Sequence, residues 1–252
     1  MLDTPLQIIQ ANTNRGIQAT ESLLEYAVEK KVDVLLIQEP WVLRNKTTEY
    51  KDCRPIHHPS FTALLPPHND KTRPRTLVYT SRLLPLQVTP IHLDNPDCQT
   101  LEIRDTIGAR LQIVNLYNER DKQGVWTVDR CLYQLPLLSD SVIVGDFNTK
   151  HPAWDNSSGS TARGEALCLW IEEKGLLLRN PLGVGTFFRP HMEVPSVLDL
   201  CLTRGTLSRQ ELNWHTVDIG SDHLAISITI PQTTEKLEAT AKTPAYNTRK
   251  AN

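Results

Sequence analysis

Residues 141–154, SVIVGDFNTKHPAW, constrain this chain more than any other stretch. An apolar, β-branched run reaches Gly145 and ends in Asp146, Phe147 and Asn148, followed by a polar turn. A short run of this kind, closed by a glycine and an acid, reads as a buried strand that delivers its last side chains to the rim of a sheet. Asp146 and Asn148 stand two apart, so on an extended chain they point the same way. The carboxylate can accept a proton from water, and the carboxamide can donate to a phosphate oxygen. A strand ending in an Asx turn has the same local sequence, so the rest of the chain has to decide.

Length bounds the answer: 252 residues suit one large α/β domain or two small ones. At 39% hydrophobic and 22% charged residues the composition is that of a folded globular protein. No apolar run approaches the roughly 20 residues that span a bilayer, so no membrane partner is expected. Residues 1–10 have no basic region ahead of an apolar one, so no secretory signal is expected either. The cysteines, at 53, 98, 131, 168 and 201, are odd in number and far apart. They suit neither a disulfide framework nor a zinc site, and point to a reducing compartment. Cys168 and Cys201 lie in apolar runs and read as small core residues. A formal charge of −2 does not advertise a nucleic-acid binder. The densest basic stretch, Lys71, Arg73, Arg75 and Arg82, reads as a solvated face or a phosphate track.

Taken in order, 6–11 (LQIIQA) is a strand and 16–31 an amphipathic helix, with Ile17, Thr20, Leu23, Leu24, Ala27 and Val28 on one face. Residues 33–39 (DVLLIQE) form a second buried strand, stopped by Pro40. Strand, helix and strand make a right-handed βαβ unit. From 61 to 117 five strand-like runs suggest an antiparallel meander, with a tight turn at Ile107-Gly108. Residues 121–138 carry a helical stripe closed by Pro136, and 161–174 a second clear helix stopped by Gly175. Residues 186–196, TFFRPHMEVPS, read as a hairpin or loop. Residues 197–203 are a strand with Asp199 among apolar neighbours, and an isolated buried carboxylate is costly, so it must be paired or belong to a site. Strands at 213–218 and 223–230 flank Gly220-Ser221-Asp222-His223. Beyond Pro231 the composition turns polar, so 1–230 is read as the domain and 231–252 as a tail or linker.

Polar groups therefore collect at strand ends: Asn12, Glu39, Tyr117, Asp146 with Asn148, and Asp222 with His223, while Asp199 adds a buried acid. If these ends share one rim, they make a carboxylate-rich cleft suited to a hard divalent cation with oxygen ligands. The chain lacks a nucleophile elbow, a phosphate-cradling glycine loop and a zinc-type ligand set. Phosphate-ester hydrolysis is the chemistry that fits.

In these residues the chain resembles the endonuclease/exonuclease/phosphatase superfamily, and within it the apurinic-type endonuclease domains of non-LTR (LINE-like) retrotransposon proteins. The matching pieces are QANTNRG, LLIQEPW, VNLYN, VIVGDFNTKHPAWD, GTFF followed by SVLDLCL, and GSDHLAI, in the family's order from residue 6 to about 230. The HPAW extension and the SVLDL step favour the retrotransposon branch over the repair, DNase, sphingomyelinase and inositol-phosphatase branches.

The resemblance implies a DNase I-like four-layer α/β sandwich, two packed mixed β-sheets flanked by helices, with the site at one end. It also implies roles. Glu39 would hold Mg²⁺ or Mn²⁺, with Asp222 adding to the metal or orienting the site. Asn12 would help position the metal shell or the phosphate. Tyr117 would donate to a phosphate oxygen, and Asp146 would orient or deprotonate the attacking water. Asn148 would bind the phosphate, His223 would contact the scissile phosphate, and Asp199 would hold His223. Thr186, Ser196 and Arg189 complete the set as substrate-binding residues, with the loop between Phe187 and Ser196 expected to choose the target. One departure stands out: Asn14 occupies a place where some members carry an acid, and here it reads as a helix-capping residue ahead of Gly16.

The implied function is a divalent-metal-dependent endonuclease that nicks one DNA strand, as in target-primed retrotransposition, in the nucleus. The implied partners are DNA and a reverse-transcriptase domain in a longer parent protein, of which this chain would be a fragment, a truncated copy or an excised domain. Two alternatives remain open on the sequence. One is another phosphoesterase of the same fold, acting on a small phosphate ester or lipid head group. The other is a decayed copy that binds nucleic acid without cutting.

Overall fold

Alternation of side chains along the central strands organises the molecule. In the computed structural model, which describes residues 4–231 apart from 69, 70, 92, 94, 121, 122, 128 and 158, the chain opens with β1 (Leu6–Asn12), α1 (Ile17–Glu29) and β2 (Val34–Gln38). It continues through β3 (Val42–Asn45), β4 (Glu49–Pro55), β5 (Phe61–Leu64), β6 (Thr76–Ser81), β7 (Gln87–Ile91), β8 (Cys98–Arg104) and β9 (Arg110–Tyr117). Then come α2 (Asp129–Gln134), β10 (Ser141–Asp146), α3 (Ala162–Glu173), β11 (Leu177–Leu178), β12 (Asp199–Arg204), β13 (Asn213–Val217) and β14 (Ala225–Ile230). The expected tail lies outside the described residues, save Pro231.

Two six-stranded sheets result, ordered β13-β14-β1-β2-β6-β5 and β11-β12-β10-β9-β8-β7. Each has one parallel pair, β1 with β2 and β9 with β10, and is otherwise antiparallel. The faces of the sheets meet through Ile8, Leu36, Val78 and Ile228 on one side and Ile113, Val142, Val144 and Cys201 on the other. The intervening residues point outward. Ile9, Leu35, Ile37 and Tyr79 pack under Leu23, Leu24 and Ala27 of α1. Ile143, Leu200 and Leu202 pack under Leu167 and Trp170 of α3 and Leu132 of α2. Strands apolar on both faces must be covered on both faces, and the outcome is helix, sheet, sheet, helix: the expected four-layer α/β sandwich of DNase I-like type.

Several elements differ from the sequence reading. The meander divides: β5 and β6 join the first sheet, while β7, β8 and β9 build the second. The β3–β4 hairpin had no sequence reading at all. The helix expected over 121–138 is confined to α2. Ahead of it Trp126 bridges to Arg120, and the Thr127 N–H donates to the Glu119 carbonyl at 3.1 Å, strand-like pairings in place of helical ones, while 121, 122 and 128 of the expected helix lie outside the described residues. The basic stretch is neither solvated face nor phosphate track throughout. Arg75 is half-buried in an ion pair with Asp97 and Glu119, and Arg73 donates to the Pro40 carbonyl at 3.0 Å. All five cysteines are free, and among the described residues no helix is long and apolar enough to cross a membrane.

Gly145 is required by the close approach of β9. Its φ is +150°, and a Cβ there would sit 1.9 Å from the Leu116 carbonyl oxygen, a backbone atom that cannot move without breaking the β9–β10 ladder. Gly145→Ala is expected to destabilise the protein by about 3 kcal/mol or more. A urea midpoint close to that of the wild type would contradict this close packing.

Candidate active site

At one end of the sandwich the inward-facing positions change from apolar to polar. On β1 the inner row reads Leu6, Ile8, Gln10, Asn12, and on β2 it reads Val34, Leu36, Gln38. On β9 it ends in Asn115 and Tyr117, on β10 in Asp146, and on β12 it begins with Asp199. Register then aligns the ends. Asp146 stands opposite Asp199 and beside Tyr117, and Asn12 stands beside Gln38. A cleft of about 470 Å³ opens there, lined by Asn12, Glu39, Tyr117, Asp146, Asn148 and His223, with Asp222 and Arg189 at its margin. Residues up to 211 positions apart in sequence thus share one rim because their strands end at the same level.

Asp146 is buried and receives three hydrogen bonds: from Asn12 Nδ2 at 3.0 Å, Asn148 N at 2.9 Å and Asn148 Nδ2 at 3.2 Å. Burial and the neighbouring Asp199 carboxylate nevertheless push its carboxyl up to about 8, against the opposing pull of His223 and Asn12. His223 Nδ1 lies 2.8 Å from Asp199 Oδ2, and its Nε2 lies 3.9 Å from Asp146 Oδ2. Burial alone would lower its pKa, but the charge and hydrogen bond of Asp199 and the charge of Asp146 outweigh this and raise it to about 9. The imidazolium therefore donates Nδ1–H to Asp199 and turns Nε2–H toward Asp146. The pairing of Asp199 with His223 is as expected from the resemblance.

Glu39 accepts from the Tyr117 hydroxyl at 2.8 Å and from Arg15 at 2.5 Å. Burial and the Glu39 charge raise the Tyr117 phenol well above its usual pKa, so it acts as a donor. The Glu39 backbone, at φ +46°, is clamped: its N–H donates to Arg75 O, and its carbonyl accepts from Arg15 N and Thr13 Oγ1. Of six described non-glycine residues with positive φ, four sit in or beside the cleft, namely Asn14, Arg15, Glu39 and Asn148, and such strain concentrates at functional sites. Asp222 is partly exposed and faces Arg189 at 3.5 Å.

Two expected substrate-binding residues do not reach the cleft. Thr186 is fully buried, and its Oγ1 accepts from the N–H groups of Leu198 and Asp199 at 3.1 and 3.0 Å. Ser196 is also buried, and its backbone pairs with Phe187. Both carry the strand that presents Asp199, and only Arg189 of the three borders the cleft. Asn14 is not the helix cap. Gly16 takes that place without a side-chain bond, while Asn14 donates its N–H to Asn12 Oδ1 and lines the cleft.

The sequence reading missed a buried polar chain between the sheets. Gln10 Nε2 donates to Asp199 Oδ1 at 2.8 Å and to Gln38 Oε1 at 2.6 Å. Gln38 Nε2 then donates to Asn115 Oδ1 at 2.5 Å. These residues hold Asp199 from the opposite sheet. The available signal was the one that exposed Asp199: a polar residue at an inward position of an apolar strand. Both Asp199 oxygens are thereby committed.

Ligand atoms of Asp146, Asp199 and His223 lie within 4.8 Å of one another, an acidic cluster whose own cation is the imidazolium, so a metal would be held by the oxygen donors nearer the cleft opening. The donor set as a whole fits a hard divalent ion. Glu39, Asp222, Asn12 and Asp146 supply oxygen, no cysteine borders the cleft, and the raised Asp146 carboxyl is what an added positive charge would relieve.

Residues 111–227 match a family model described as endonuclease-reverse transcriptase. Among solved structures, the endonuclease domain of TRAS1, a telomere-specific non-LTR retrotransposon, superposes with a TM-score of 0.72 at 23% identity, covering 90% of this chain and 99% of that one. An AP endonuclease from Leishmania major gives 0.69 at 14% identity, covering 91% and 89%. An AP endonuclease from Archaeoglobus fulgidus gives 0.59 at 16%, covering 88% and 98%. No curated protein matches the sequence.

Proposed function

For a chain that carries the endonuclease/exonuclease/phosphatase fold and matches an endonuclease-reverse transcriptase over 111–227, we propose a divalent-metal-dependent endonuclease that hydrolyses one phosphodiester of DNA. The observation that carries this reading is geometric: Asp146 is buried in the wall of the cleft, held by Asn12 and Asn148, with His223 Nε2 3.9 Å away and His223 Nδ1 held by Asp199 at 2.8 Å, an environment that pushes its carboxyl up to about 8. A base near neutrality and a fixed cation are what in-line attack of water on a phosphodiester needs.

Asp146 takes the proton of the attacking water, with Asn12 and Asn148 orienting its carboxylate. With DNA in the cleft, His223 Nε2–H turns from Asp146 and the Tyr117 hydroxyl from Glu39 to donate to the phosphate oxygens as charge develops there. The P–O3′ bond breaks and the 3′ oxygen takes up a proton, leaving a 3′-hydroxyl that suits priming of reverse transcription. Glu39, Asp222 and Asn12 would hold Mg²⁺ or Mn²⁺, which when bound supplies charge neutralisation for the phosphoryl group. Arg189 and the loop to Ser196 choose the target, since backbone contacts alone carry no sequence information. Such an enzyme acts in the nucleus, joined to a reverse-transcriptase domain in its parent protein. The test is incubation with supercoiled plasmid with and without Mg²⁺. Open circles formed only with metal support the reading. Intact plasmid alongside turnover of an inositol phosphate would favour a small-substrate phosphoesterase, and binding without nicking a decayed copy.

Two further outcomes are expected. Glu39→Ala removes an oxygen donor and the acceptor of Tyr117, so the Mg²⁺ concentration for half-maximal rate should rise about tenfold; an unchanged titration with surviving activity would make Glu39 a rim residue. The pH dependence follows from two signs. Asp146 works deprotonated, so kcat/KM should climb as pH rises toward about 8, and His223 works protonated, so it should fall above about 9. Bound metal shifts the acid limb downward. A flat profile from pH 6 to 10 would contradict both roles.

A further inference from the structure

Trp126 serves neither the water-activating cluster nor the expected target loop, yet it lines the cleft. The Arg163 guanidinium carbon lies 3.4 Å from the centre of its ring, and that of Arg120 lies 4.9 Å away. Arg163 stands in the first turn of α3 and is largely buried. Asp129 holds it through Nε at 3.0 Å and Nη2 at 2.9 Å. Two more of its donors reach the carbonyls of Phe147 and Asn148 at 3.3 and 3.2 Å. One side chain therefore ties the indole to the turn that carries Asn148, itself at φ +48°. The helix start is pressed against the same region, since a Cβ on Gly164 would lie 2.2 Å from the Lys150 carbonyl oxygen.

A tryptophan that only plugged a loop would need neither a place on the cleft wall nor a rigid link to a phosphate-facing residue. Arg163 has four of its five N–H donors committed to Asp129 and to the Phe147 and Asn148 carbonyls, so it serves as a brace and not as a phosphate grip. Its stacking gives the indole a fixed position and a cationic backing. Arg120 is exposed and stacks at longer range, so it is the arginine able to swing to a backbone phosphate. An aromatic face set among arginines beside a phosphate site matches the way proteins hold nucleic-acid strands, because every base has a π-face and stacking tolerates any sequence.

We propose that Trp126 is the stacking surface for a nucleoside flanking the cleaved phosphate, and that Arg163 holds it at a set reach from Asn148. This rests on the DNA-nicking reading above. Trp126→Ala should raise KM for DNA about tenfold, the size expected for one lost base–aromatic stack, with kcat altered less than threefold. Trp126→Phe should restore most of the affinity. Arg163→Met should raise KM and also lower kcat, because it releases the Asn148 turn.

Tryptophan emission supplies a readout independent of turnover. Trp154 and Trp170 are buried, and Trp41 and Trp214 do not line the cleft. Titration of the full chain with a short DNA duplex should therefore quench emission in the wild type and much less in Trp126→Phe. Should Trp126→Ala fail to fold, the Phe variant decides. Equal quenching in both forms, or an unchanged KM in folded Trp126→Ala, overturns the assignment while nicking by the wild type persists. Failure of the wild type to bind or nick DNA at all overturns the endonuclease reading instead.

Discussion

Replacing Asp146 by Asn is expected to lower nicking about a thousandfold while leaving the fold intact. The substitution keeps the shape of the side chain and removes the proton acceptor. Asp146 sits at the end of β10, with its oxygens held by Asn12 and Asn148 and its carboxyl already raised to about 8 by burial and by Asp199. At neutral pH the site thus holds a neutral or half-neutral group at little cost, so a neutral amide should be tolerated. The melting temperature should stay within a few degrees, and DNA binding should change little, because loss of a base acts on the transition state more than on the bound ground state. Nicking within tenfold of the wild type, measured on supercoiled plasmid under single-turnover conditions, would remove Asp146 from the role of base. Loss of activity together with loss of fold would instead make it a structural carboxyl.

The parts of the site that were legible in the sequence share one physical signature: a polar residue at the end of a strand whose other positions are apolar. Glu39, Tyr117, Asp146 and Asp222 carry it, and register brings the strand ends together without further information. Asp199 was legible for a related reason, since a carboxylate inside VLDLCL needs a partner. That its partner would be His223 came from the resemblance, because the contact joins a strand and a loop 24 residues apart. Gln10, Gln38 and Asn115 obey the same inward alternation, but an amide is less costly to bury than an acid and so stands out less in an apolar run. Their contacts cross between the sheets, and nothing local encodes them.

Helix α2 is shorter than the 121–138 stripe predicts for a different reason. Val125 and Trp126 supplied helical spacing, but Arg163 competes for the indole from 37 positions away and draws it to the cleft. The resemblance places Thr186 and Ser196 among the substrate-binding residues, whereas both are buried, Thr186 Oγ1 accepting from the Leu198 and Asp199 N–H groups and the Ser196 backbone pairing with Phe187. The four-layer arrangement came from the resemblance, and central strands apolar on both faces are the physical reason it holds. The division of the meander between two sheets was not legible, because antiparallel neighbours in sequence can pair in either sheet.

Asp199 and His223 are expected to act as a unit, and the second large effect concerns them. His223→Ala should reduce kcat/KM about a thousandfold by removing the cation that faces the phosphate, and Asp199→Ala should cost nearly as much by releasing the imidazole. If the two were independent, the double variant would lose roughly the product of these factors. The geometry argues otherwise. Asp199 hydrogen-bonds into the cleft only through His223 Nδ1 at 2.8 Å, its other oxygen being taken by Gln10, and its remaining influence there is the charge that helps raise Asp146. Once the imidazole is gone, Asp199 has nothing left to orient, so the double variant should fall within about tenfold of the worse single variant.

The stability cycle should show the same coupling with its own sign. His223→Ala leaves Asp199 buried with only an amide partner and should destabilise the fold, whereas removing Asp199 as well relieves that penalty, so the double variant should be more stable than the sum of the singles requires. Urea unfolding of the four proteins measures this directly, and metal-dependent nicking of the same preparations measures the catalytic cycle. Additivity in both would mean that the 2.8 Å contact has no part in the working site, and that His223 is held by its backbone bridge and ring contact with Phe187 and by Ser221. Coupling in stability with additivity in catalysis would confine the pair to holding the loop after β13 in place.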